Sequence, residues 1–241
     1  MTGLRGALVW TAAAGLLWGL CWLPWLPAAL FPAVFGVVLV ALGSARTGRE
    51  ACSIGLVYAI AAYASSGHFL FVLTRYSPGA ALFFFAHLAY FTPFLVAATW
   101  GAWRIERATG LPRTIAFALL YVGLEGLRTR TDLSFPADVL AHAFGDLPRW
   151  LSLTPWTGPH GVAVWALATG LALERAVVAA RSRPGRTVVP LAVAAVLWIL
   201  PWAASYVGAI VPEPGPPLRA GIVQPNVAVT EKFDRARHPE I

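Results

Sequence analysis

Charge is scarce in this 241-residue sequence: 12% of residues are charged, against 58% hydrophobic. A soluble domain carries about twice that share of charge, so a water-exposed globule is excluded. Lysine is almost missing; Lys232 stands alone, and every other basic side chain is arginine. A net charge of +7 would suit nucleic acid. The charges, however, sit singly or in small groups between apolar runs, with no basic face or tract, which excludes it. Cysteine is limited to Cys21 and Cys52. Both lie in apolar stretches at a spacing that fits no zinc or redox motif, so they read as small packing residues. There is no Gly-rich phosphate loop and no Ser-His-Asp set, and neither His68 nor His87 has a second ligand three or four residues on. Neither a cofactor nor a metal is expected.

What the chain does have is long runs without charge. Gly6 to Ala45 is long enough for two membrane crossings of about 20 residues each, divided at Trp22-Leu23-Pro24-Trp25-Leu26-Pro27. The prolines there break a helix, and tryptophan suits a membrane interface. Further spans are expected over Ala51–Thr74, Tyr76–Trp103, Thr114 to about Leu127, Gly161–Leu173 and Thr187–Val211. Helices are the form that satisfies backbone groups in lipid, and these runs are too uniform for barrel strands, which alternate. The expected fold is an all-α integral membrane bundle of about seven transmembrane helices over residues 1–211. The first apolar run has no clear cleavage site after it, so it reads as a retained helix, not a secretory signal.

Arginine placement sets the expected orientation. With the N-terminus in the cytoplasm, the inner segments carry Arg5, Arg46, Arg49, Arg104, Arg107, Arg113, Arg175, Arg181, Arg183 and Arg186. The outer loops carry only Arg75, Arg128, Arg130 and Arg149. An odd number of spans then puts the tail outside. The connection from Arg128 to His160 is long and mixes charge with Phe135, Val139, Leu140, Phe144, Leu147, Trp150 and Leu151. It reads as an interfacial segment against the outer leaflet. After the last span, residues 212–217 form a proline-rich linker. Leu218 to Asn226 then reads as one buried strand leading into a loop. One strand cannot bury itself, so further chain or a partner chain is expected to complete it.

Glu125 and Arg128, three residues apart, share one helix face at the outer end of the fifth span. Ionisable groups at membrane depth mark function or a structural ion pair; the two readings are compatible. His68 and His87 read as polar contacts between packed helices. His142 and His160 read as solvated or interfacial.

These features together resemble the apolipoprotein N-acyltransferase family of bacterial inner membranes. Val223-Gln224-Pro225-Asn226, followed by Lys232-Phe233-Asp234, is similar to the first strand of that family's nitrilase-like domain. Leu124-Glu125-Gly126-Leu127-Arg128 with Phe135-Pro136 resembles its Glu-x-Leu-Arg and Phe-Pro-Trp segments, with Ala137 in place of the Trp. Gly158-Pro159-His160-Gly161-Val162 resembles the Gly-rich start of its sixth helix. The resemblance implies a periplasmic α/β nitrilase-like domain starting at residues 218–241, which these residues would leave incomplete. It implies transfer of an acyl chain from a phospholipid donor to a diacylglyceryl lipoprotein acceptor. The substrate-binding or structural candidates are Glu125, Arg128, Phe135, Pro136, His160 and Gly161. Gln224, Asn226, Lys232 and Asp234 mark the nitrilase strand. In the family a cysteine takes the acyl chain as a thioester, with a glutamate as base and a lysine at the oxyanion. No residue here matches that triad, so catalysis is expected to lie beyond this sequence or on a separate nitrilase-like chain. Two other readings stand beside this one: a catalytically inactive scaffold of the same family, and a small transporter.

Overall fold

The computed structural model describes residues 3–22, 27–75, 79–130, 139–182 and 184–207. Residues 23–26, Phe135, Pro136, the linker 212–217, and Gln224, Asn226, Lys232 and Asp234 lie outside the described residues. Those described form helices and turns, with no strand among them. The helices are α1 (Leu4–Leu20), α2 (Phe31–Gly43), α3 (Gly48–Ser66), α4 (Phe69–Val72), α5 (Ala80–Thr109), α6 (Arg113–Arg128), α7 (Thr154–Thr157), α8 (His160–Ser182) and α9 (Val188–Val207).

Local chemistry explains the boundaries. Thr47 caps α3: its hydroxyl accepts from the Glu50 amide at 3.2 Å, while the Glu50 carboxylate accepts from the Arg46 amide at 2.5 Å. The reciprocal pattern resembles a capping box. The 30 residues of α5 rise about 45 Å, well beyond a bilayer core. It ends at Gly110, whose φ of 76° only glycine adopts freely. The short turn to Arg113 then reverses the chain into α6.

Six helices close a ring in which α1 packs on α3, α3 on α5, α5 on α6, α6 on α8, α8 on α2 and α2 on α1; α9 lies outside against α8. Small residues allow the close pairs. A Cβ on Gly55 of α3 would fall 2.1 Å from the Thr99 hydroxyl of α5. The core of this ring is aromatic and aliphatic, with Phe31, Phe35, Tyr58, Phe91, Phe117 and Phe144 fully buried.

Each of the seven apolar stretches holds a helix. Among the described residues four helices, α1, α5, α8 and α9, are long and apolar enough to cross a membrane, and a fifth if α3 and its continuation, bent by 43°, make one span. The 16 residues of α6 rise about 24 Å and fall short of the ~30 Å hydrocarbon core. Much of the outer surface is apolar: Leu82 is 72% exposed and Val188 70%. Water would disfavour such a surface and lipid tails would not, as expected of a membrane protein.

The helix α9 carries Pro201 internally. Proline has no amide hydrogen, so the Leu197 carbonyl four residues earlier loses its helical donor. The Trp165 indole of α8 donates to that carbonyl at 2.6 Å. The Pro201 carbonyl in turn accepts from the Ser152 hydroxyl, and Arg149 donates to the Tyr206 hydroxyl at 2.7 Å.

The segment before α8 departs from the sequence reading. That reading lays it on the outer leaflet, whereas Val139, Leu140, Ala141 and Phe144 are buried in the core cluster. Phe144 packs edge-on against Trp165 and tilted against Phe31, with centroids 5.8 and 6.0 Å away. The apolar residues of the connection plug one end of the ring.

Candidate functional site at one end of the helical ring

The site begins with the inner face of α6. Thr114, Phe117, Tyr121, Glu125 and Arg128 recur every three or four residues and are all buried, which turns one stripe of the helix inward. Four of these are polar or carry a hydroxyl. The last turn thus delivers a carboxylate and a guanidinium into an interior otherwise built from rings.

Glu125 and Arg128 are each 5% exposed. The Glu125 carboxylate accepts from Nδ1 of His160 at 2.9 Å. His160 is the first residue of α8, and its side chain is 28% exposed. Two features hold it there. Gly158 adopts φ of 67°, a left-handed conformation that favours glycine, and turns the chain from α7 towards α8. Gly161 has no Cβ to meet the Thr157 hydroxyl, which would lie 1.9 Å away. The Leu140 amide also lies near the Glu125 carboxyl. Among the described residues, Glu125 Oε2 has no partner at hydrogen-bond geometry.

Arg128 lies across Phe91 of α5, with its guanidinium carbon 4.6 Å from the ring centroid, a cation–π contact. It is within electrostatic reach of both Glu125 and His87. The His87 ring packs on Phe91 and Tyr63 at 4.6 and 5.7 Å. Between α3, α5 and α6 is a cavity of about 20 Å³ bordered by Tyr63, Tyr121, Glu125 and Arg128. It has room for about one water molecule beside groups able to bind it.

Of the residues singled out from the sequence, the fold therefore joins Glu125, Arg128, His160 and Gly161 at one end of the ring. His87 joins them through the aromatic rings. His160, read from the sequence as solvated or interfacial, is instead partly enclosed and bonded to Glu125. His68 stays apart: it is exposed, and its Nδ1 donates to the Ser65 carbonyl at 2.7 Å. Neither cysteine approaches the cluster's polar groups among the contacts seen; Cys21 is buried at the end of α1 and Cys52 is half-buried in α3.

Residues 14–172 match the model of the apolipoprotein N-acyltransferase N-terminal domain, well over half of the chain. The chain belongs to the apolipoprotein N-acyltransferase family. The matched region runs from within α1 into α8 and includes Glu125, Arg128 and His160. Against curated proteins the sequence finds no match. Membership in the N-acyltransferase family indicates an acyltransferase and lipid substrates at a coarse level, and agrees with the apolar outer surface.

Two charged groups escaped the sequence reading. Glu174 of α8 is buried, with its carboxylate 3.3 Å from Nε of Arg175. Glu106 bonds Arg113 across the turn between α5 and α6, and Nε of Arg113 donates to it at 2.5 Å. Arg113 also donates to the Ala45 and Leu42 carbonyls at the end of α2. A signal existed for the second pair: opposite charges bracket the Gly110-Leu111-Pro112 turn. Glu174 gave no signal beyond standing next to an arginine.

Proposed function

We propose that this chain is the membrane portion of an apolipoprotein N-acyltransferase. The full reaction would pass an acyl chain from a phospholipid to the N-terminal diacylglyceryl-cysteine of bacterial lipoproteins. Family membership over residues 14–172 is the observation that carries this reading. The enclosed Glu125–His160–Arg128 cluster, at one end of an otherwise apolar ring, supports it. Glu125 holds His160 at the start of α8, and Arg128 balances the buried carboxylate. His160 is the most exposed of the three, so it is the one able to meet a lipid head group or a neighbouring domain.

In this reading the helices make seven spans in the bacterial inner membrane, with the N-terminus cytoplasmic and residues beyond α9 periplasmic. Residues 1–211 are then the membrane domain, 212–217 the linker and 218–241 the beginning of a nitrilase-like domain. Phe135 and Pro136 are proposed to stand near the lipid substrates, and Gln224, Asn226, Lys232 and Asp234 to open the nitrilase-like fold. Thioester chemistry falls to that domain.

Two measurements test this. Reporter fusions after Arg46, Arg107, Arg183 and Arg219 should read inside, inside, inside and outside. A cytoplasmic signal at Arg219 overturns the odd-span topology. For the reaction, the 241-residue protein is incubated with phosphatidylethanolamine and a diacylglyceryl lipopeptide, with and without a nitrilase-like domain of the family. N-acylation is expected only when that domain is present. A hydroxylamine-sensitive acyl adduct on Cys21 or Cys52, with turnover, would overturn the assignment of the chemistry.

A further inference from the structure

At the other end of α8 lies a feature that the acyl-transfer reading does not use. A groove of about 440 Å³ runs between α1, α2, α8 and α9, within the roughly 300–1,000 Å³ of small-molecule sites. Trp10, Gly36, Val40, Val177 and Leu191 form much of its wall, and among the described residues Arg181 is the one charged residue on it. Gly36 and the neighbouring alanines deepen it. Trp10, Val177 and Leu191 are 57%, 38% and 49% exposed, so it opens sideways from the bundle. Arg181 stands 21 residues after His160 on the same helix, about 30 Å along its axis, which is the thickness of a bilayer's hydrocarbon core. The acid nearest in sequence, Glu174, is buried with its carboxylate beside Arg175, so the positive charge at the groove is not cancelled from that side.

We propose that this groove binds one anionic phospholipid of the leaflet opposite the Glu125–His160 cluster. One acyl chain lies along the Gly36–Val40 and Val177–Leu191 walls, and the phosphate meets Arg181. Charge complementarity selects the occupant. The apolar walls take any acyl chain, but the charged side chain among the described lining residues is a guanidinium, which favours a phosphate that no head-group cation of the same lipid neutralises. Trp10 also borders the groove, and tryptophan is favoured at membrane interfaces. The inference rests on the chain being a membrane protein and is independent of which acyl transfer it serves.

Native mass spectrometry of the full chain in detergent, titrated with dioleoyl phosphatidylglycerol or dioleoyl phosphatidylcholine, tests it. One phosphatidylglycerol should be retained about five-fold more tightly than phosphatidylcholine, the effect of one arginine at a membrane surface. Arg181→Ala, at an exposed position, should abolish that preference, and Arg181→Lys should keep most of it. Arg49→Ala, an exposed arginine outside the groove, should leave it intact. Val177→Trp should weaken retention of both lipids by filling the wall. Equal retention of the two lipids by the unaltered protein would overturn the proposal. So would an Arg49→Ala loss as large as that of Arg181→Ala, or unchanged retention in Val177→Trp.

Discussion

The two ends of α6 are both charged and are built on opposite principles. At its start, Arg113 spends its donors on Glu106 and on two carbonyls at the end of α2. Both side chains keep some contact with solvent, at 18% and 28% exposure. At its other end, Glu125 is almost wholly enclosed, shares one oxygen with His160, and borders a cavity of about 20 Å³. The first end ties three helices together. The second, among the described residues, leaves Oε2 of Glu125 without a bonded partner inside a low-dielectric interior, where that is expensive to hold. A structural clamp completes its hydrogen bonds, whereas a site keeps something over for a water, a substrate or a neighbouring domain.

Replacing Glu125 should give the largest effect. Glu125→Ala removes the buried carboxylate that accepts from His160 and faces the charge of Arg128, and should cost about 1.5–3 kcal/mol. Thermal unfolding in detergent reads this. The Glu125→Ala/Arg128→Ala double variant should lose less than the sum of the singles, because the favourable coupling between the two charges is removed once and counted twice in that sum. Strict additivity would show that the two side chains do not interact, and would make this end no more coupled than a surface.

The clamp should respond asymmetrically. Arg113→Ala removes bonds to a carboxylate and two carbonyls and should cost about 2 kcal/mol. Glu106→Ala, which leaves the carbonyl bonds in place, should cost about 1 kcal/mol or less. Equal losses would mean that the ion pair, and not the tie to α2, holds this end of the helix.

A bond of the completed kind outside α6 sharpens the contrast. Trp165→Phe should destabilise by about 1 kcal/mol, because the Leu197 carbonyl is left without a donor. In a Pro201→Ala background the restored backbone amide satisfies that carbonyl, and the cost of Trp165→Phe should shrink towards zero. The same double-mutant comparison checks it. Smallest of all, Arg149→Ala at an exposed contact with Tyr206 should shift stability by about 0.5 kcal/mol.

The family and the membrane character were legible because they rest on patterns local in sequence. Charge-free runs mark where α1, α2, α3, α5, α6, α8 and α9 fall, and Glu125 with Arg128 declares one face of α6 by spacing alone. His160 was legible only as part of a Gly-rich segment, since its partner lies 35 residues earlier. Only the fold, through Gly158 and the ring closure of α6 on α8, brings the two together. The plug at Val139–Phe144 was misjudged for a related reason. Amphipathic spacing shows that a segment has an apolar side, and it does not show whether that side meets lipid or the open end of a bundle. The fifth apolar run, Thr114 to about Leu127, falls within α6, whose 16 residues are short of a full crossing.

The proline in α9 has a geometric consequence. A regular apolar helix on the rim of a bundle can turn about its axis or slide along it with little change in energy, because one greasy face resembles another. The missing amide at Pro201 removes that freedom. It leaves a single carbonyl facing one direction at one height, and the Trp165 indole meets it there. The outermost helix, with the least buried surface of the four long ones, therefore has its azimuth and its depth keyed by Trp165 on its neighbour, with Ser152 and Arg149 pinning the turns that follow.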